Sequence, residues 1–365
     1  MNPRQRVHAA LRRQPVDRVP IFMWFHPDTA RILGRALQIP PGRVSEAMGD
    51  DVRQAWVSNN HCMEGIVHRR DGEGHVDPWG VAWVKEGPFN QIRRSPLEDA
   101  GEGEVRAYDH PHDKADELLA NMEPVVALGD RYFVGCDVSP CLFEMVCRVR
   151  GMERAILDLA ARPDLARHQL ERAAAFALHL SEVACQRYPL DWLWTGDDVA
   201  GQQAMMLSPE MWREMVAPHL ARIMAVGKGH GLWVAYHSCG AIRPIIPDLV
   251  EMGLDVLNPV QSTCPGMDPV ELKREFGDRL AFMGGVDTQY LLPHGTEAEV
   301  RHQTERLLAQ MTAGGGGYIL AASHTVPPET PLANVFALYE VAGVKRQEIE
   351  DRAADIRRAE GARNP

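Results

Sequence analysis

Two side chains that suit zinc stand two residues apart in this sequence. An apolar run over residues 233–236 leads into His237, Ser238, Cys239 and Gly240. Because alternate side chains of an extended strand point to the same side, His237 and Cys239 are predicted to face one side at the end of a strand. An imidazole and a thiol are good zinc ligands, and a substrate thiol bound to zinc loses its proton and becomes a strong nucleophile. The pattern therefore predicts part of a zinc site.

A catalytic zinc site needs a third protein ligand and keeps its fourth position open. His324 ends the last predicted strand, and Cys264 follows the predicted strand that ends at Gln261. The predicted ligand set is His237, Cys239 and His324, with Cys264 as the alternative third ligand. The competing interpretation is a strand-end histidine beside a buried cysteine without a metal, because a lone H-x-C pair is a weak signal.

Acidic side chains also gather next to predicted strands. Asp197 and Asp198 follow one of them, where paired acids can bind a cation or one acid can keep its proton beside the other. In the competing interpretation, one of the two caps a helix or loop and the other is solvated. Asp50 and Asp51 have the same ambiguity. The predicted catalytic residues are Asp197, Asp198 and Asp51, and the predicted substrate-binding residues, at or just past other strands, are His26, Asp137, Gln261 and Asp287.

Other residues that could do chemistry are interpreted as structural. Glu144 and Arg148 stand four residues apart, which is typical of an ion pair along one helix face. Cys62 follows His61 and has no obvious partner in the sequence. Four further cysteines are predicted to be inert small apolar residues, namely Cys136, Cys141, Cys147 and Cys185.

Strands and helices alternate along most of the chain, which indicates parallel βαβ units. Eight strands are predicted, near residues 21, 53, 134, 193, 235, 257, 283 and 320. They predict an α/β fold: one (β/α)₈ TIM barrel over residues 1–365, with functional groups at the carboxyl ends of its strands. Alternating aromatic and β-branched residues around residues 77–84 predict a small hairpin insertion in the N-terminal third. A doubly wound sheet is the competing fold, but its G-x-G-x-x-G signature is absent after the first strand.

The composition excludes several classes of function. The net charge of −11 argues against nucleic-acid binding, which normally needs a basic face. Seven scattered cysteines do not form the pattern of a disulfide framework, so a reducing cytoplasm is the expected location. The N-terminus has no apolar signal core, and no run of about 18 apolar residues predicts a membrane span. The expected protein is cytoplasmic, a monomer or homodimer, and acts on a small molecule.

Several short stretches, taken in order, resemble the uroporphyrinogen decarboxylase-like superfamily of barrels. The resemblance is strongest over residues 190–340 and looser over residues 4–190, and it implies a (β/α)₈ barrel, in agreement with the strand count. The stretches are Gly196-Asp197-Asp198, residues 207–212 (LSPEMW), His237-Ser238-Cys239-Gly240, residues 256–261 (VLNPVQ), residues 282–287 (FMGGVD), residues 316–320 (GGYIL), His324 and residues 331–334 (PLAN).

The superfamily has two main branches, and the resemblance is closer to one of them. Porphyrin decarboxylases use an arginine-rich N-terminal loop and an aspartate without a cofactor, but residues 20–26 (PIFMWFH) stand in that place here and contain no arginine. Cobamide-dependent methyltransferases carry H-x-C-G at the fifth strand and a later cysteine as third zinc ligand. His237 and Cys239 match this pattern, whereas His324 replaces the later cysteine.

The resemblance therefore implies a zinc-dependent methyltransferase. It would move a methyl group between a corrinoid, carried in trans on a partner protein, and a thiol or an O- or N-methyl substrate. The alternative is a metal-independent decarboxylase or lyase acting on a carboxylated substrate, in which Asp51 or Asp198 stabilises a cationic intermediate. A ligand-binding barrel without chemistry is a third hypothesis, and the array of strand-end acids and histidines argues mildly against it.

Overall fold

A computed structural model describes residues 1–57 and 70–363 of the chain. Its strands are short and separated mainly by helices. In chain order they are β1 (Val52–Trp56), β2 (Gly74–Val76), β3 (Ala82–Glu86), β4 (Phe89–Arg94), β5 (Phe133–Asp137), β6 (Trp192–Gly196), β7 (Trp233–His237), β8 (Val256–Val260), β9 (Ala281–Val286) and β10 (Tyr318–Ala322).

The helices lie mainly between successive strands, and several begin with proline at the first turn, where its missing N–H costs nothing. They are α1 (Pro3–Leu11), α2 (Pro27–Leu37), α3 (Val44–Met48), α4 (Glu102–Ala107), α5 (Ala115–Leu119), α6 (Glu123–Val126), α7 (Phe143–Arg150), α8 (Met152–Ala161), α9 (Pro163–Arg187), α10 (Pro209–Met215), α11 (Ala217–Gly229), α12 (Ile246–Glu251), α13 (Pro269–Phe276), α14 (Leu291–His294), α15 (Glu297–Thr312), α16 (Leu332–Val341) and α17 (Arg346–Arg363). Short 3₁₀ turns stand at Pro41–Arg43, His112–Lys114, Ala120–Met122 and Arg243–Ile245.

The strands form two sheets of different kinds. One has the order β1-β5-β6-β7-β8-β9-β10, and the other has the order β2-β3-β4. The pairs β5–β6, β6–β7, β8–β9 and β9–β10 are parallel. Parallel neighbours need a crossover connection, which the intervening helices provide. The predicted α/β fold of the (β/α)₈ class is confirmed.

The first predicted strand, near residue 21, differs from the prediction because it forms only isolated bridges. Ile21 pairs with Leu320, and Phe25 pairs with Val326. On its other side, the carbonyl of Ile21 accepts a hydrogen bond of 2.8 Å from the backbone N–H of Asp51. The segment contains Pro20 and is followed by Pro27, and proline has no N–H to donate to a ladder.

The predicted insertion is a three-stranded antiparallel sheet, β2-β3-β4. Asp77 organises the turn between β2 and β3, because its Oδ1 accepts the backbone N–H groups of Trp79 and Val81, each at 2.9 Å. Its Oδ2 accepts the indole N–H of Trp83 at 2.8 Å. The predicted hairpin is confirmed, and β4 is a third strand that the sequence pattern did not indicate.

Contacts within the chain define two compact units. The first comprises Met1–Arg53, Asp130–Phe133 and Asp255–Pro365, and the second comprises Gln54–Gly129 and Val134–Leu254. Each has an aromatic core, with Phe282, Tyr318 and Tyr339 in the first and Trp192, Trp194, Trp212 and Tyr236 in the second. The single domain over residues 1–365 stays a prediction. Within the described ranges, no helix is both long and apolar enough to cross a membrane.

Among the described residues, no cysteine is in a disulfide bond. Cys264 is buried, whereas Cys185 and Cys239 are half-buried. Burial raises the pKa of the thiols of Cys136, Cys141 and Cys147, in agreement with their predicted role as small apolar residues. Cys62 lies outside the described residues.

Candidate metal centre

The turn after β7 fixes the positions of His237 and Cys239. His237 is the last residue of β7 and lies beside Gly196, the last residue of β6. A Cβ on Gly196 would lie 3.2 Å from the Cβ of His237, so glycine leaves room for the imidazole. Gly240 has a φ of +89°, and a Cβ there would lie 2.4 Å from the carbonyl oxygen of Gly201. Both contacts explain why glycine stands at these two positions.

The predicted ligand pair has the spacing that zinc requires. The Sγ of Cys239 lies 3.5 Å from the Nε2 of His237. Zinc bonds of about 2.3 Å to sulfur and about 2.05 Å to nitrogen, at a tetrahedral angle, place those two ligand atoms about 3.5 Å apart. The side chain of His237 is 13% exposed, so the imidazole is largely desolvated without being sealed from solvent.

His237 and Cys239 belong to the second compact unit, and His324, the predicted third ligand, belongs to the first. The part of His324 in the metal site stays a prediction. Cys264, the alternative third ligand, also belongs to the first unit. Its buried Sγ lies 3.9 Å from Oε1 of Gln261, and burial raises its pKa.

Asp198 lies next to the ligand pair. Its Oδ1 accepts the backbone N–H of Cys239 at 2.8 Å and lies 3.7 Å from Nε2 of His237. Its side chain is 38% exposed, so the carboxylate also faces solvent. Among the three predicted catalytic acids, Asp198 contacts both His237 and Cys239.

Asp197 has a different environment, although it is the adjacent residue. Its buried carboxylate caps α7, accepting the backbone N–H groups of Phe143 at 2.8 Å and Glu144 at 2.7 Å. Burial, with the nearby Glu144 carboxylate, raises the pKa of Asp197 to about 8 against these hydrogen bonds. The geometry matches the helix-capping interpretation, and a catalytic role for Asp197 stays a prediction.

Asp137, a predicted substrate-binding residue at the end of β5, is also buried. Its Oδ1 accepts the hydroxyl of Ser139 at 2.6 Å, and its Oδ2 accepts the side-chain amide of Gln54 at 3.0 Å. Burial raises its pKa to about 8. The contacts place Asp137 in a hydrogen-bond network with Gln54 of strand β1, and substrate binding by it stays a prediction.

Asp51, the third predicted catalytic acid, lies just before the amino end of β1. Its fully buried carboxylate accepts hydrogen bonds from Arg6 at 2.5 Å and from Arg18 at 2.8 Å. It also accepts the backbone N–H of Ile21 at 2.8 Å. These contacts balance the buried charge, and residues on the amino-end face of a barrel commonly serve stability. A catalytic role for Asp51 stays a prediction.

The remaining predicted substrate-binding residues lie just before or after a strand or helix. The Nδ1 of His26 accepts the backbone N–H of Asp28 at 3.0 Å and so caps α2. The carboxylate of Asp287 accepts the N–H of Leu291 at 2.8 Å at the start of α14. Gln261 is buried and directly follows β8. Substrate binding by these three residues stays a prediction.

Glu144 is a residue whose place beside the centre the sequence did not reveal. The predicted ion pair with Arg148 is present at 2.6 Å. In addition, Oε2 of Glu144 accepts the backbone N–H of Asp198 at 3.2 Å. This contact joins residues 54 positions apart, so helix spacing alone could not have indicated it.

Comparison with known proteins finds several that are similar to part of this chain. Methylcobamide:CoM methyltransferase MtaA of Methanosarcina barkeri is 26% identical over 46% of this chain and 44% of its own length. The uroporphyrinogen decarboxylase of Thermus thermophilus is 29% identical over 37% of each chain. The methylated-thiol–coenzyme M methyltransferase of Methanosarcina mazei is 24% identical over 67% of this chain and 66% of its own. The chain thus matches less than half of the length of the first two relatives.

A solved structure supports the fold over nearly the whole chain. It is a methyltransferase from Methanosarcina mazei, which covers 94% of this chain and 98% of its own with a TM-score of 0.71 and 16% identity. At that identity the likeness concerns the fold alone. The family model for uroporphyrinogen decarboxylase (URO-D) matches residues 139–343, which is more than half of the chain. The protein therefore belongs to the uroporphyrinogen decarboxylase (URO-D) family.

Proposed function

We propose that this protein is a zinc-dependent methyltransferase. It would transfer a methyl group between a corrinoid, carried in trans on a partner protein, and a thiol or an O- or N-methyl substrate. The names of two relatives support this class, because they describe methyl transfer involving a methylcobamide or a methylated thiol. The corrinoid partner and the small-molecule substrate are part of the proposal.

The observation that carries the proposal is the 3.5 Å spacing between Sγ of Cys239 and Nε2 of His237. It fits two ligands of one tetrahedral zinc, and we propose the imidazole of His324 as the third donor. One sulfur and two nitrogen donors form a set that zinc accepts readily. We propose that these three residues hold the metal and leave its fourth position for substrate.

Zinc bound there would lower the pKa of a substrate thiol and keep it as the reactive thiolate at neutral pH. Asp198, within 3.7 Å of the His237 imidazole and partly exposed, is suited to accept the thiol proton and pass it to solvent. A methylated corrinoid on the partner protein would supply the methyl group, and the substrate thiolate would accept it while His237, Cys239 and His324 would hold the zinc.

Metal analysis of the purified protein tests the zinc site. The wild type is expected to hold about one zinc per chain, and Cys239→Ser is expected to lose at least about 90% of it, because a thiolate ligand is removed. Cys185→Ser is the matched control, since it alters another half-buried thiol that is not a predicted ligand. A wild type without zinc, or full occupancy in Cys239→Ser, would refute the site.

The third ligand is tested by comparing His324→Ala with Cys264→Ser. We expect zinc loss in the first variant and retention in the second. The reverse result would assign the third position to Cys264. Methyl transfer is then measured from free methylcobalamin to a simple thiol by the change in corrinoid absorbance, and is expected to stop on chelation and to return with added zinc.

A metal-independent decarboxylase or lyase is the second candidate, favoured by the family model and by the 29% identity to a uroporphyrinogen decarboxylase. Asp198 could stabilise a cationic intermediate from its present position, whereas the carboxylate of Asp51 is already held by Arg6 and Arg18. This candidate predicts that loss of carbon dioxide from a carboxylated substrate survives both chelation and Cys239→Ala. Zinc-dependent methyl transfer would exclude it.

A further inference from the structure

The small sheet β2-β3-β4 has no part in the proposed function, yet a series of contacts leads from it to Cys239. We infer that Glu144 and Arg148 are positioning residues for the zinc ligands and that Trp83, in β3, holds Arg148 in place. The inference rests on the proposed function, because the ligands that these residues position are those of the proposed zinc site. All of the contacts lie within the second compact unit.

The first contact is between Asp198 and the ligand turn. Oδ1 of Asp198 accepts the backbone N–H of Cys239 at 2.8 Å, which fixes the turn that carries the thiol. Asp198 is itself held, because its backbone N–H donates to Oε2 of Glu144 at 3.2 Å. Hydrogen bonds from outer residues to the ligands of a metal set their orientation and affinity.

The second contact keeps Glu144 where it is. Nη2 of Arg148 donates to Oε1 of Glu144 at 2.6 Å, and the Arg148 side chain is only 7% exposed. The Glu144 carboxylate adds to the effect of burial in raising the pKa of Asp197 and Asp137, which reflects its own negative charge. Arg148 balances that charge, and without it Glu144 would be repelled from Asp198.

The third contact reaches the small sheet. The guanidinium of Arg148 lies 5.7 Å from the centre of the Trp83 ring, within the range of a cation–π interaction. The buried Trp83 is fixed in turn, since its indole N–H donates to Oδ2 of Asp77 at 2.8 Å. Trp83 of the small sheet thereby packs against the Glu144–Arg148 ion pair that supports Asp198.

The same helix provides a matched control. Arg150 is two residues from Arg148 in α7 and is also buried in an ion pair, with Nε 2.9 Å from Oδ2 of Asp158. Its described contacts lead to Asp158 and to the carbonyls of Leu97 and Ala100, not to Asp198. A purely structural role of buried arginines in α7 would affect both variants equally.

The experiment compares zinc affinity, by chelator competition, in the full-length wild type and a set of single variants. Glu144→Gln, Arg148→Met and Trp83→Leu are expected to bind zinc about 10-fold or more weakly, the usual effect of losing an outer hydrogen-bond partner. Arg148→Lys, which keeps the charge, is expected to restore most of the affinity. Arg150→Met is expected to lower the melting temperature while zinc affinity stays within about threefold of the wild type, well short of the loss from an outer partner. If it does not fold, Arg162→Met removes the more exposed partner of Asp158 instead.

A second readout uses the metal-free protein. Glu144→Gln is expected to speed amide hydrogen exchange at Asp198 and Cys239 by about 10-fold, because the hydrogen bonds that hold the turn weaken. Unchanged zinc affinity and unchanged exchange in Glu144→Gln and Arg148→Met would overturn the inference while leaving the zinc site intact. A wild type that binds no zinc would refute the proposed function instead, and the exchange rates would then decide whether Glu144 positions the turn.

Discussion

Asp50 offers a sharp test of how burial controls charge in this fold. Its side chain is buried, and its Oδ1 accepts the hydroxyl of Tyr339 at 2.6 Å. Within the described residues, its Oδ2 accepts no hydrogen bond. Asp50→Asn therefore keeps the shape and the bond to Tyr339 and exchanges one unpaired atom for another. The variant removes the ionisable group and keeps an acceptor for the Tyr339 hydroxyl.

The magnitude follows from the pKa of the carboxyl group. Burial raises the pKa of Asp50 from 3.8 to about 7, with the charge of Asp51 adding to the shift and that of Arg53 opposing it. Because the folded pKa lies above the unfolded one, the stabilising contribution is complete below about pH 4 and is lost as the pH rises to about 7. Each pH unit is worth about 1.4 kcal/mol, so the loss across this range is about 4 kcal/mol.

The assay is urea unfolding of the wild type and Asp50→Asn at several pH values between about 4 and about 8, on either side of the titration. Taking the difference between the two proteins cancels the titration of all other groups. We expect similar stability near pH 4 and a variant about 4 kcal/mol more stable above about pH 7. A difference that does not change with pH, or a variant less stable at the alkaline end, would show that burial does not raise the pKa of Asp50.

Three further predictions concern the candidate site and its support. Gly240→Ala is expected to cost about 2–3 kcal/mol of stability and to weaken zinc binding, because its Cβ would lie 2.4 Å from the Gly201 carbonyl oxygen at a φ of +89°; normal unfolding and zinc titration curves would contradict this. Asp51→Asn is expected to lose about 3–5 kcal/mol of unfolding free energy, measured by denaturation, because Arg6 and Arg18 lose their buried counter-charge. Metal analysis is expected to find its zinc content unchanged, and zinc loss in a folded variant would contradict a purely structural role of Asp51. Free zinc at about 100 times its dissociation constant is expected to add about 2.7 kcal/mol to the unfolding free energy of the metal-free protein. Calorimetry that shows no rise in melting temperature would rule out binding to the folded state.

Much of the fold could be predicted because its signal is periodic. Apolar segments that end in polar residues alternate with helical segments, and that alternation is preserved in the parallel pairs from β5 onwards. The weakest prediction was the segment near Ile21, where the apolar run suggested a strand. Its pairing is limited to isolated bridges, and prolines at both ends remove N–H donors that a longer ladder would need.

The candidate site was predictable only where the signal was local. His237 and Cys239 follow from the alternation of side chains at the end of β7, and their 3.5 Å approach agrees with it. Asp197 and Asp198 are adjacent, so no pattern could tell that one caps α7 while the other contacts the ligand turn. That distinction depends on the position of α7, whose Phe143 and Glu144 are each 54 positions from the acid they contact.

The environment of Asp51 could not be predicted from the sequence either. An acid beside an apolar segment has the same appearance in sequence at either end of a strand. In the fold, Asp51 precedes β1 and meets Arg6 and Arg18, which are 45 and 33 positions away. Because these partners come from distant parts of the chain, the sequence could not indicate that Asp51 is the centre of a buried ion cluster.

The distribution of thiols gives the protein a built-in chemical reporter. Alkylating reagents attack thiolates that solvent can reach, so the buried Cys136, Cys141 and Cys147, whose pKa values are raised, should react slowly. Cys239 is half-buried and belongs to the candidate metal site. Mass-spectrometric peptide mapping of labelled protein can therefore follow occupation of the site, since a ligand thiolate should be protected when the metal is bound and modified when it is removed.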